Sequence, residues 1–151
     1  MCLIYDLLLI IIFFYLLLSE ETFSNICDIV RHLRTSEKKA DIKDNIPNII
    51  KHPQGKPFAV IGKPAIYVRD SYEDLYHLIT DQASKGSDHK FLVTGTSGIG
   101  KSCFLIYFLV RLLCEFRDVT VIFQPIQSEV FYCFEDLMTS QLNCNLPKRG
   151  T

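Results

Sequence analysis

Charge of one sign is missing in bulk. Sixteen Lys and Arg stand against seventeen Asp and Glu, leaving a formal net charge of −1 over 151 residues. A chain so balanced exerts no global pull on a polyanion, so overall charge gives no support to nucleic acid binding. The six cysteines (Cys2, Cys27, Cys103, Cys114, Cys133 and Cys144) include no pair at CxxC spacing, and no Cys/His pair has the rhythm of a zinc site. We therefore read neither a disulfide framework nor a metal centre. Cys103 and Cys114 fall in an apolar helical stretch and read as small core hydrophobes. Internal repeats and low-complexity tracts are also lacking. The length suits one modest core.

Basic residues are absent ahead of the longest apolar run, where a secretory leader would carry them. That run, Leu7 to Leu18, holds twelve consecutive apolar residues, and Cys2 to Leu18 is interrupted only by Asp6. Seventeen helical residues span about 25 Å, slightly short of the roughly 30 Å hydrocarbon core. The length suits a signal-peptide core or a marginal membrane anchor, giving membrane contact through residues 2–18. Glu20 and Glu21 follow the run and favour an N-in, C-out orientation. The opposing readings are a buried N-terminal helix or a mis-called start. The first reading makes the protein secreted or membrane-anchored, the second intracellular.

Phe23, Ile26, Cys27, Val30 and Leu33 recur at helical spacing, predicting an amphipathic helix from Glu21 to about Arg34. "TSEKKADIKDNIPNIIKHPQGKPF" then places Pro47, Pro53, Gly55 and Pro57 among charges and reads as a linker with at most one helical turn. Between Asp28 and Lys63 eight Lys/Arg face four Asp/Glu, the pattern of a solvated face. "FAVIG" and "AIYV" flank Gly62-Lys63-Pro64 as short extended segments around a turn. "RDSYEDLYHLITDQASKG" predicts a helix N-capped by Asp70 with Glu73 three residues on, a stripe of Tyr72, Leu75, Tyr76 and Ile79, and a stop at Gly86.

"KFLVTG" reads as a strand, "KSCFLIYFLVRLLCEF" as a helix apolar nearly all round, and "VTVIFQP" as a second buried strand. Strand, glycine loop, helix, strand is the first unit of a Rossmann-like parallel sheet, so the expected class is α/β. Residues 1–24 form the leader, 25–64 a helix plus linker, and 65–151 the front of a P-loop NTPase domain.

The loop itself, "VTGTSGIGKS", matches Gly95-x4-Gly100-Lys101-Ser102. A polyphosphate needs many donors in a small volume, and glycines let the backbone approach it without a Cβ in the way. The N–H groups of Gly98 to Ser102 would line an anion nest at the positive end of a helix. Lys101 would reach the β- and γ-phosphates, and the Ser102 hydroxyl would complete the shell of Mg²⁺. The candidate ATP-binding residues are Gly95, Thr96, Ser97, Gly98, Ile99, Gly100, Lys101, Ser102 and Cys103, with Ser102 as the metal ligand.

"YVRDSYEDLYHLI", the loop with its helix, "VTVIFQP" and "EVFYCFEDL" together resemble the Crinkler proteins and, more distantly, the trypanosome retrotransposon hot spot proteins. The resemblance covers roughly residues 58–137. It implies a P-loop ATPase module of the STAND/AAA-like class, often followed by a nuclease-like domain, in effector-like proteins acting in a host nucleus. It carries Gly95, Gly100, Lys101 and Ser102 over as nucleotide ligands and gives Arg69 and Tyr72 a place near the nucleotide.

Hydrolysis needs further groups: an acid holding Mg²⁺, a residue positioning water, and usually an arginine. Fifty residues follow Lys101, and their one candidate is "VFYCFED", ending in Glu135-Asp136. By resemblance this is an auxiliary strand, its acids marking a strand-end turn or helix start. The sequence thus fits a truncated product or a fragmentary gene model, whose exposed apolar faces at Phe104–Phe116 and Val119–Phe123 need covering by the N-terminal helices, a missing C-terminal region or a partner protein. The leading expectation is ATP–Mg²⁺ binding without turnover. The alternatives are a membrane-tethered or secreted interaction protein with a relic loop, and a small nucleotide kinase or GTPase, whose acceptor, lid and base-recognition segments are not visible.

Overall fold

The computed structural model describes residues 10–14, 20–36, 47–58, 61–85, 91–116, 121–125, 130–135 and 138–143. These belong to two compact units, Leu18–Arg117 and a second made of Met1–Leu17 with Asp118–Thr151. Cys2, Cys144, Gly86, Asp136 and the apolar residues 2–9 and 15–18 lie outside the described residues.

The first described element is a strand. β1, Ile10–Phe14, lies within the apolar run that we expected to be helical. It pairs in parallel with β4, Val121–Pro125, in the register Ile10↔Val121. β-branched Ile10–Ile12 and the following phenylalanines suit a strand once a neighbour supplies the hydrogen bonds. β5, Val130–Glu135, runs antiparallel to β4, and β6, Met138–Asn143, antiparallel to β5, so the sheet order is β1-β4-β5-β6. Among the described residues no helix is long and apolar enough to cross a membrane.

The described residues of the other unit include three helices. α1, Glu20–Ser36, forms as its apolar spacing requires and buries Ile26, Cys27, Ile29 and Val30. The segment read as a linker contains a strand, β2, Ile49–Lys51, which pairs antiparallel with β3, Ala65–Tyr67. Linker composition hid it, because a three-residue strand shows no periodicity. Its middle residue Ile50 lies opposite Ile66, and both are buried while their neighbours are exposed. His52 is buried beside it, its Nδ1 accepting the Gln54 N–H at 3.1 Å and its Nε2 3.5 Å from Asp28 Oδ2 on α1. Of the two expected extended segments, "AIYV" supplies β3, and "FAVIG" is described at Phe58, Ile61 and Gly62, where Phe58 bridges to Lys63 around a turn.

α2, Asp70–Ser84, buries Tyr72, Tyr76 and Ile79 of its predicted stripe and leaves Leu75 half-buried. The N-cap is Arg69 rather than Asp70, and no side-chain cap bond forms. Asp70 and Glu73 sit instead in the first turn, where acids complement the helix dipole. α3, Lys101–Glu115, is buried along one continuous stretch from Phe104 to Cys114. α1 and α2 both pack on it, so the N-terminal helices supply part of the expected cover. Arg34 of α1 donates to the Leu113 carbonyl near the end of α3.

One residue breaks the apolar reading of α3. Arg111 is buried with its guanidinium 4.5 Å from the Tyr76 ring centroid. Its Nη1 contacts the Tyr107 hydroxyl and lies 3.4 Å from Glu73 Oε1, and its Nη2 lies 3.2 Å from His77 Nε2. A buried cation persists only when paired and stacked in this way. Around it Tyr76 meets Tyr107 and Phe108 at centroid separations of 6.2 and 5.4 Å, the range of favourable tilted and edge contacts.

Candidate functional site

The strand expected before the loop does not form. Residues 91–96 carry no regular structure, and Phe91 and Leu92 are exposed. A parallel strand needs a hydrogen-bonding neighbour, and this segment is not part of any described sheet. The glycine loop and its helix do form. Gly95, Gly98 and Gly100 adopt φ of 156°, 81° and 101°, and α3 starts at Lys101 with Gly100 as a left-handed N-cap. These are the glycine-permitted conformations that the loop pattern requires.

Residues 97 and 98 form a turn ahead of α3, and the Phe104 N–H donates to Gly100 O at 2.9 Å. Thr96, Ser97, Gly98 and Ile99 are exposed, while Gly100, Lys101, Ser102 and Cys103 are half-buried. The first N–H groups of a helix lack intrahelical partners, so this segment offers a row of donors at the positive end of α3. The Lys101 ammonium donates to Gly95 O and Thr96 O, both at 2.8 Å. It thus spans the loop and sits beside the carbonyls at the far end.

Two side chains of the α2 start reach the loop. Arg69 Nη1 donates to Ile99 O at 3.1 Å, and the Tyr72 hydroxyl donates to Gly100 O at 3.1 Å. The family resemblance had given these two residues only a place near the nucleotide; the hydrogen bonds could not be read from a sequence separation of about thirty residues. Burial pushes the Tyr72 phenol up, with a further push from Cys103 and a smaller opposing pull from Arg69. The hydroxyl therefore stays protonated and able to donate. Cys103 beside it is also raised by burial, against the pull of Arg69. A thiol so placed is mostly protonated at neutral pH, which argues against a reactive nucleophile.

The position of Gly100 suits glycine on two counts. A Cβ there would overlap the Tyr72 hydroxyl, and φ of +101° is strained for any L side chain. We expect Gly100→Ala to destabilise the protein by about 1–2 kcal/mol or more, read from urea unfolding.

A polyphosphate would find the first N–H groups of α3 and the Lys101 ammonium at this end of the helix. Mg²⁺ bound through phosphate oxygens, water and one Ser102 hydroxyl needs no protein cage. Among the described residues no group of three His, Cys, Asp or Glu side chains is placed to hold a metal ion. Glu135 ends β5 just before the short connection to β6, in an antiparallel hairpin. This is the strand-end position anticipated for it. A separate hollow, lined by Ile29, Leu33, Pro47 and Ile50 among others, includes none of the loop residues. The chain matches no protein-family model, no curated protein and no solved structure.

Proposed function

We propose that this chain binds ATP with Mg²⁺ through residues 95–103, as a Crinkler-like P-loop module of the α/β class. The observation that carries the reading is the positive-φ glycine loop running directly into α3, with Lys101 folded across it. Gly98 to Ser102 would cradle the phosphates, Lys101 would neutralise the β- and γ-oxygens, and Ser102 would give one oxygen to Mg²⁺. Titration of the purified protein with a fluorescent ATP analogue and Mg²⁺ tests this. Saturable binding competed by ATP is expected, and its absence sinks the proposal.

Binding is not turnover. Phosphoryl transfer is catalysed by positioning and charge stabilisation, and Ser102 supplies neither a base nor a second metal ligand. Each missing group costs several kcal/mol of barrier, and roughly 1.4 kcal/mol is a tenfold change in rate. The 151-residue chain is therefore expected to release phosphate from ATP no faster than its Lys101→Ala variant. Faster release that Glu135→Gln or Asp136→Asn abolishes would assign those acids the role denied them here.

A further inference from the structure

We infer that Arg69 and Tyr72 act as positioning residues, a latch from the start of α2 that aims the last two peptide units of the loop. The inference rests on the nucleotide-binding reading for its purpose, and on the hydrogen bonds alone for its existence. A trans peptide is planar, so its C=O and the following N–H point in opposite directions. Arg69 holds the Ile99 carbonyl and Tyr72 the Gly100 carbonyl. The N–H groups of Gly100 and Lys101 are thereby turned away from those side chains. Gly100 O also accepts the Phe104 N–H at 2.9 Å, the first hydrogen bond of α3. The Gly100 carbonyl thus points along the helix, and the Lys101 N–H points back toward the loop, where a phosphate would lie.

The latch is itself held. The Tyr72 ring packs edge-on to Phe104 at 5.7 Å and tilted to Tyr107 at 5.9 Å, both on α3. The Arg69 guanidinium lies 5.8 Å from the centroid of that ring. The hydroxyl occupies the space that a Cβ at Gly100 would need, so the glycine and the tyrosine suit each other. Tyr72→Phe removes the hydroxyl that holds the Gly100 carbonyl while keeping the ring that packs on α3.

The test uses Tyr72→Phe and Arg69→Gln in the full chain, with two readouts. In ¹⁵N relaxation without ligand, the Gly100 and Lys101 amides should fall from rigid order parameters of about 0.85 to below about 0.6, with the melting temperature within about two degrees of wild type. In titrations, ATP–Mg²⁺ and ADP–Mg²⁺ should weaken by the same factor, about tenfold, because both use the aimed N–H groups. Unchanged order parameters overturn the latch whatever the titrations show. Lower order parameters with wild-type affinities overturn its purpose. A larger loss for ATP than for ADP in Arg69→Gln overturns positioning in favour of direct contact with the terminal phosphate. If the wild type binds neither nucleotide, the function proposed above fails, and the relaxation data still decide whether the latch exists.

Discussion

Replacing Lys101 with alanine is expected to weaken ATP–Mg²⁺ binding by tenfold to a hundredfold while leaving the fold intact. The ammonium is the only side-chain cation within the loop sequence, and it already reaches across the loop to Gly95 O and Thr96 O. Hydrogen bonds to charged groups contribute about 1.5–3 kcal/mol each, which converts to that range of affinity. Both carbonyls lie on exposed residues, so water replaces the lysine and unfolding should change little. Isothermal titration and thermal melting of the two proteins check both halves. Equal affinities in wild type and variant would remove the phosphate cradle from consideration. A lost affinity with a large drop in melting temperature would show instead that Lys101 holds the loop together.

The largest stability effect is expected at Tyr76. It is among the largest fully buried side chains, touching Tyr107, Phe108 and the Arg111 cation, with its hydroxyl donating to Glu115 Oε2 at 2.8 Å. Truncation to alanine removes the ring that stacks on a buried guanidinium, and should cost about 3–5 kcal/mol. Tyr76→Phe keeps the ring and loses the bond to a charged acceptor, about 1.5–3 kcal/mol. The pH dependence follows from the same contacts. Burial, and then the hydrogen bond and charge of Glu115, hold the phenol well above its ordinary value, with Arg111 opposing. A raised value means that the folded state binds the proton more tightly than the unfolded chain. This contribution is full below about pH 10 and is lost as pH rises beyond it. Tyr72 and Tyr107 shift in the same direction. Urea unfolding from pH 8 to 11 should show stability falling at the alkaline end, and less steeply in Tyr76→Phe. An identical alkaline limb in both proteins would assign the effect to other groups.

Local patterns in this chain translate directly into local structure. Apolar spacing at Ile26, Cys27 and Val30, and at Tyr72, Tyr76 and Ile79, dictates α1 and α2, because one face of a helix must leave water. The apolar run from Phe104 to Cys114, interrupted only by Arg111, announces a buried helix. The glycines at positions 95, 98 and 100 announce a loop of positive φ, since no other residue takes those angles without strain. Partners were not legible, because pairing depends on what the rest of the chain brings alongside. Ile10–Phe14 forms a strand against β4, while residues 91–96, where Thr94, Gly95 and Thr96 follow the apolar start, carry no regular structure. Ile49–Lys51 looked like linker until Ile66 arrived opposite Ile50. Arg111 stands in an otherwise apolar helix, and its partners Tyr76, Glu73 and His77 come from α2. At the candidate site, residue type alone announced the glycine turn from Gly95 to Gly100 and the helix that starts at Lys101. The hold of Arg69 and Tyr72 on Ile99 and Gly100 was decided by tertiary structure, since a hydrogen bond between residues far apart in sequence exists only once α2 packs beside α3.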